Sequence, residues 1–291
     1  MSKKVLVTGA TGNIASLVIP QLIEKGVSVR AFVRNVSKAE KWKKMGVEIV
    51  EGEFSSADQL NEATKGMDVV LSITPPSEDA FENASAITRA AKNNGVKHLI
   101  RISAIGAAAD APTENGKLHY KTDEDIKAAG IPYTILRPQF YMQNVFMSAP
   151  TILEQGNMYW GMGEGKLGMI DIRDIADACV SLIVNGGHEN KIYNPTGPAS
   201  ITFSEVAKMI AEGIESPVNY IAVPLEAVGD AIRKAGWGEW SAQMMMDYSK
   251  AYSNGWGDFI NNDIETITGK KPRSFQNFFN EVLSFGLKQR A

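Results

Sequence analysis

The sequence predicts an α/β fold: a doubly wound parallel sheet with a smaller, mostly helical C-terminal lobe. Two patterns predict it. Short β-branched runs alternate with helix-like stretches through the first half of the chain, and a glycine closes one helix-like stretch after another. The candidate strands are residues 4–8, 27–33, 47–51, 69–74, 97–103 and 133–137. Near-continuous apolar runs of that length suit strands buried on both faces. The helical patterns between them fall at about 13–25, 38–45, 57–64, 79–94 and 117–129. Gly26, Gly46, Gly66, Gly95 and Gly130 each stand between such a pattern and the next strand, where a left-handed residue past the helix end suits glycine. Right-handed crossovers then make a doubly wound sheet the economical topology.

After Arg137 the pattern loosens. Residues 140–154 read as helix, 158–160 and 167–170 as short strands, 172–184 as helix and 191–194 as one more strand. From Ser200 the segments are mostly helical, at 203–212, 225–235, 241–253 and 275–285, with a candidate strand at 219–223. The predicted division is a core of residues 1–155, to which 167–195 returns, and a smaller substrate lobe of 156–166 and 196–291.

Composition excludes several classes of function. The 291 residues are 44% hydrophobic and 22% charged, the balance of an ordinary globular chain. A net charge of −3 gives no basic field for nucleic acid or anionic lipid. The one cysteine, Cys179, cannot form an internal disulfide, and with His98, His119 and His188 it gives no metal-ligand spacing. No apolar run approaches the roughly 20 residues of a membrane span, and the run after Lys4 is too short for a signal segment. The expectation is a cytoplasmic protein acting on a small molecule, as monomer or homodimer, without nucleic acid, membrane or metal.

Val7-Thr8-Gly9-Ala10-Thr11-Gly12-Asn13-Ile14-Ala15 follows the first strand and opens an amphipathic helix. In that context a glycine turn holds the pyrophosphate of a dinucleotide in a Rossmann-type sheet. Gly9 permits the tight turn, Gly12 lets the backbone approach the phosphates, and Ala15 lets helix pack on strand. Free amides at the helix start, among Thr11, Asn13 and Ile14, meet the phosphate charge.

Selectivity for NAD is usually signalled by an acid at the end of the second strand, which binds the ribose 2′-hydroxyl. Here that strand runs out as Ala31-Phe32-Val33-Arg34-Asn35, with Lys38 soon after. Arg34 offers a planar fork for a 2′-phosphate and Lys38 a second positive charge. The expected cofactor is therefore NADPH in preference to NADH. Glu53 and Phe54, past the third strand, are placed to flank the adenine. Thr74 and Pro75 end the fourth strand at the carboxyl edge, where ligands bind in this architecture.

Further stretches join these. They are Gly95-Val96-Lys97-His98-Leu99-Ile100 leading to Ser103, the pair His119 and Asp123, Gly130-Ile131-Pro132-Tyr133-Thr134-Ile135-Leu136-Arg137-Pro138, and Ile170-Asp171-Ile172-Arg173-Asp174-Ile175-Ala176. With them, roughly residues 3 to 215 resemble the NmrA-like branch of the atypical short-chain dehydrogenases. Members of that branch include NADPH-dependent quinone reductases, plant reductases of phenylpropanoid-type substrates, ergot-alkaloid reductases, and regulators that bind the dinucleotide without turning it over. Short-chain dehydrogenases typically use Tyr and Lys four residues apart, with a nearby Ser; the tyrosine protonates the carbonyl oxygen as hydride arrives. The resemblance puts Ser103 at the serine position. Anchoring on Asp123 puts His119 in the lysine place and Asn115 in the tyrosine place, while a frame on Tyr120 puts Glu124 in the lysine place. Neither frame supplies the dyad. Asp123, four residues after His119 on one helix face, is expected to orient the imidazole. His119, with a pKa near neutrality, is expected to donate a proton or bind the nicotinamide ribose.

Pro138-Gln139-Phe140-Tyr141-Met142 follows the sixth strand and is expected to line the cleft. Pro138 and Tyr141 are assigned to the cofactor, and Tyr141, Met142 and Trp160 to the substrate, because aromatic and methionine side chains suit a flat apolar ligand. Met244, Met245 and Met246 read instead as core. Asp171 and Asp174 read as helix-start caps, with Arg173 pairing locally. The expected function is NADPH-dependent reduction of a quinone-like or conjugated apolar molecule, since an electron-poor acceptor needs less protein acid than a simple ketone. The alternative is a non-catalytic redox sensor that binds NAD(P) and acts through a protein partner.

Overall fold

The computed structural model describes residues 2–288. Its strands are β1 (Lys4–Val7), β2 (Ser28–Val33), β3 (Glu48–Glu51), β4 (Val69–Ser72), β5 (His98–Ile102), β6 (Tyr133–Leu136), β7 (Asn157–Trp160), β8 (Lys191–Tyr193) and β9 (Asn219–Ala222). Seven of them form one parallel sheet in the order β3-β2-β1-β4-β5-β6-β8, and β7 pairs with β9. The strand order reverses between β1 and β4, which is the topological switch point where such sheets bind ligands. Val5, Leu6, Val7, Val70, Leu71, Leu99 and Ile100 are buried at these central strands, as their unbroken apolar runs require.

The helices are α1 (Asn13–Glu24), α2 (Glu40–Lys44), α3 (Ala57–Thr64), α4 (Ala80–Asn93), α5 (Glu114–Ala128), α6 (Ala149–Gln155), α7 (Ile172–Asn185), α8 (Phe203–Ile214), α9 (Leu225–Lys234), α10 (Gly238–Ser253), α11 (Asp263–Thr268), α12 (Phe275–Phe278) and α13 (Ser284–Lys288). The predicted helix at 38–45 is divided: Val36–Ala39 is a 3-10 turn, capped by the Asn35 side chain, and α2 follows it. Residues 140–154 also divide, into a 3-10 stretch at Met142–Ser148 and α6, where Pro150 stands in the first turn. The strand expected at 167–170 is reduced to two isolated bridges, Leu167 to Ile201 and Tyr141 to Ile170. The Gly168 amide donates to the Gly257 carbonyl at 3.3 Å and its carbonyl accepts from the Gly197 amide at 3.0 Å, so the bonds that a ladder would use go to other segments than the Ile201 partner of Leu167. No helix among the described residues is long and apolar enough to cross a membrane.

The chain divides into two compact units. The first takes the chain up to Asp110, Gly116–Arg137 and Ile175–Asn194; the second takes Ala111–Asn115, Pro138–Asp174 and the chain from Pro195 onward. The division therefore falls at Arg137, not near residue 155 as the sequence suggested. Met142, Val145, Ala149 and Ile152 explain the difference: they are buried in one apolar cluster with Trp160, Phe203, Ile210 and Phe278. The first unit has its own cluster, centred on Leu6, Phe32, Leu60, Val70, Ile87 and Leu99.

Candidate functional site

The glycine turn is built by β1 and held from two sides. Gly9 has φ +59°, and a Cβ on it would stand 2.9 Å from the Ile73 carbonyl oxygen, so both conformation and space exclude a side chain. The Thr8 hydroxyl donates to the Ile73 carbonyl and accepts from the Ile73 amide, each at 2.9 Å, locking β1 to the end of β4. The Trp42 indole donates to the Ala10 carbonyl at 3.0 Å. Gly12 is the N-cap of α1 and supplies no side-chain oxygen; the first turn holds no acid. A helix start without a side-chain cap is an anion site in waiting. Thr11, Gly12 and Asn13 are exposed there, while Ile14 and Ala15 are buried and seat α1 on the sheet.

Arg34 follows β2 and is exposed, as is Lys38. The Asn35 side chain accepts from the Ser37 amide at 2.9 Å, which shapes the turn between them. Neither cation is ion-paired among the described residues, so both charges stay available to a phosphate. Glu53 is exposed past β3, and Phe54 packs on Phe32 with ring centroids 5.6 Å apart. The turn, the two cations and this aromatic lie at the carboxyl ends of neighbouring strands β1, β2 and β3. The residues present therefore fit a dinucleotide carrying a 2′-phosphate. Thr74 is half-buried and accepts from Arg101 at 2.9 Å; Pro75 is exposed.

Ser103, His119 and Asp123 come together at the end of β5 and on α5, but not as the sequence suggested. The Asp123 carboxylate does not bond the imidazole. Its Oδ2 accepts from the Ser103 hydroxyl at 3.0 Å and from Arg137 Nε at 2.8 Å. His119 Nδ1 lies 3.4 Å from the Ser103 Oγ. Serine thus stands between the two residues expected to touch. Burial, with the charges of Arg101 and Arg137, pushes the His119 pKa down from 6.5 to about 3. The near-neutral value expected for this side chain is therefore replaced by a neutral imidazole at pH 7. Burial raises the Asp123 pKa, and Arg137 opposes the rise.

In the second unit, Tyr141 is half-buried at the start of the chain segment that bridges to Ile170. Pro138 is buried. Met142 and Trp160, expected to face substrate, are core residues instead. Trp160 stacks on Phe203 at 5.0 Å and donates its indole N–H to Ser148 Oγ at 2.8 Å, so both its face and its polar tip are used internally. Met246 is buried and Met245 packs against the core, as read from the sequence. Asp171 accepts from the Arg173 amide at 2.9 Å and from the Arg173 side chain at 2.7 Å, the expected cap and local pair. Asp174 meets the Arg273 backbone and guanidinium. Among the described residues no cluster of His, Cys, Asp or Glu could hold a metal.

Comparison with known proteins places this architecture. The sequence model of the NmrA-like family matches residues 1–278. The chain belongs to the NmrA-like family. An NAD(P)H azoreductase of Xenophilus azovorans is 34% identical over 277 residues, covering 94% of this chain and 96% of that protein. The structure of the NADPH-dependent quinone oxidoreductase QOR2 of Escherichia coli, complexed with NADPH, superposes with a TM-score of 0.88 at 25% identity, covering 96% of this chain and 99% of that one. The triphenylmethane reductase of Citrobacter sp., complexed with NADP(H), superposes with a TM-score of 0.85 at 27% identity, covering 96% and 100%.

Within this NmrA-like chain several structural partners of the site escape a motif search. Arg101 is the plainest: it is 1% exposed inside β5, where an arginine interrupts an apolar run. Arg137 ends the strand predicted at 133–137, and nothing local in the sequence marks Trp42 as a partner of the glycine turn. Asn115, which falls in the place of the dehydrogenase tyrosine, donates to the hydroxyl of Tyr248 at 2.8 Å. No spacing rule links residues 115 and 248, since only the folded second unit brings them together.

Proposed function

We propose that this chain is an NADPH-dependent oxidoreductase that delivers hydride to a quinone-like or conjugated apolar small molecule. The observation that carries the reading is the uncapped glycine turn next to two unpaired cations, Arg34 and Lys38, with no acid at the end of β2. When bound, the dinucleotide supplies the hydride. The chain's own residues do the rest. The free α1 amides at Asn13 and Ile14 hold the pyrophosphate, which Gly12, its own amide donating to the Gly9 carbonyl at 2.9 Å, lets the backbone approach. Arg34 and Lys38 hold the 2′-phosphate, and Glu53 and Phe54 flank the adenine. Within the first unit, Thr74, Pro75, Ser103 and His119 are assigned to the nicotinamide end. Tyr141 is the aromatic assigned to the substrate.

Two features favour an electron-poor acceptor. The neutral His119 has no spare proton to lend at pH 7. Arg101 and Arg137 outnumber Asp123, and that net positive charge stabilises negative charge developing on an acceptor. Quinones, azo dyes and triphenylmethane dyes delocalise such charge, and the named relatives reduce compounds of these kinds. The test is loss of NADPH absorbance with a panel of quinones, azo dyes, enals and imines. If no acceptor oxidises NADPH while the dinucleotide still binds, the enzyme reading fails and a redox sensor acting through a protein partner takes its place.

A further inference from the structure

We infer that Asp123, acting through the Ser103 hydroxyl, fixes the proton of His119 on Nδ1 and leaves Nε2 as an open acceptor. Arg137 Nε can only donate, so its 2.8 Å bond makes Asp123 Oδ2 an acceptor. Ser103 Oγ stands 3.0 Å from the same oxygen. A carboxylate has no proton to give, and the serine has one; that proton goes to Asp123. Asp123 Oδ1 is buried without a hydrogen-bond partner among the described residues, so the carboxylate's bonding is concentrated on Oδ2.

Ser103 then turns only lone pairs towards the imidazole. Its contact with Nδ1, 3.4 Å away, can be completed only by a ring N–H. A neutral imidazole carries a single proton, so Nε2 is bare. A second proton is opposed from two strands, by Arg101 on β5 and Arg137 after β6. The opposite polarity would need a protonated Asp123 donating to Ser103, with Arg137 left facing a neutral acid.

The consequence rests on the reductase reading above. In it His119 is a positioning residue that accepts a hydrogen bond, such as one from a ribose hydroxyl of the dinucleotide. It does not protonate the reduced substrate. A lysine in this helix position could only donate; this histidine offers the dinucleotide an acceptor at Nε2.

The experiment is nitrogen NMR of the histidine rings in the labelled free protein at pH 7, with His119→Gln assigning the signal. The expected result is a protonated Nδ1 and a bare Nε2. Ser103→Ala should lose the Nδ1 form and move the ring to the Nε2-protonated tautomer that free imidazole prefers. An Nε2-protonated ring in the wild-type protein overturns the inference, whatever the variants do. Binding gives an independent reading. His119→Ala should weaken NADPH about tenfold, the worth of one hydrogen bond, and His119→Gln, which keeps an acceptor, should recover most of that loss. Recovery by His119→Lys and not by His119→Gln would overturn the inference, because lysine only donates. Absence of NADPH oxidation with every acceptor would sink the reductase reading and leave the tautomer result standing, so the two failures are distinct.

Discussion

Trp42 donates its indole N–H to the Ala10 carbonyl oxygen at 3.0 Å, and α2 thereby holds the glycine turn from behind. The two residues lie on different βα units, and both are buried. The bond fixes a peptide in the middle of the turn, one residue after the φ +59° glycine that shapes it. A phosphate-binding turn works only if its amides are already aimed, so a rigid support contributes to affinity through pre-organisation.

Replacing Trp42 with Phe should therefore act twice. The buried carbonyl loses its donor, which costs about 1–3 kcal/mol of stability. The loosened turn should also bind NADPH more weakly. Denaturant unfolding and a dissociation constant for NADPH check the two effects. A variant as stable as the wild type, with unchanged affinity, would show that the indole is only filling space.

Glu215 offers a change in the stabilising direction. It ends α8 with φ +54° and ψ +36°, a left-handed conformation that suits glycine and strains a residue with a Cβ. The side chain is exposed and makes no ion pair among the described residues. Glu215→Gly should raise stability by about 0.5–1 kcal/mol, the strain relieved being larger than the extra chain entropy glycine brings. A lower midpoint in urea, at unchanged slope, would contradict that balance.

The parallel sheet was readable because its central strands β1 and β4 are local apolar runs, and one helix after another between the strands is followed by a glycine. Ala57–Thr64 was read to the residue, since Ser56 caps it and its apolar positions repeat at helical spacing. The second unit was less legible because its core is assembled from distant pieces. Met142 and Trp160 carry the chemistry of a pocket wall, and nothing local distinguishes such residues from the core they form with Phe203. Likewise the spacing of His119 and Asp123 rightly put them near one another. It could not show that Ser103, sixteen residues earlier, takes the place between them. Helix α11 went unread: Ile264 and Ile267 are its buried residues, too few to set a period.

Arg34 tests the cofactor. If it and Lys38 bind the 2′-phosphate, then Arg34→Glu removes a charge-assisted bond and places an acid where NAD-selective enzymes carry one. NADPH should bind roughly 10- to 100-fold more weakly, the worth of one or two such bonds. NADH should bind equally well or better, because the acid can accept from its ribose hydroxyl. Parallel titrations with both cofactors decide the matter; an equal loss for both would mean that Arg34 supports the turn and does not read the phosphate.

His119 predicts how stability depends on pH. In the folded chain its pKa is held at about 3, whereas an unfolded imidazole titrates near 6.5. Between those values the unfolded state binds the extra proton and the folded state does not, so stability falls as pH falls. The contribution is fully present above pH 6.5 and is lost on the way down to about pH 3. The loss can reach at most about 1.4 kcal/mol per pH unit for one group. The glutamine of His119→Gln does not titrate, so the stability gap between wild type and variant should close or reverse across this window. Asp123 works in the other sense: burial raises its pKa, so its contribution is present at low pH and is lost as pH rises through the raised value. It stays in both proteins and largely cancels in the difference. Urea unfolding of the two proteins at pH 7, 6, 5 and 4 gives the comparison. A gap that stays constant would show that the folded ring takes up its proton as readily as an unfolded one, and that Arg101 and Arg137 do not control it.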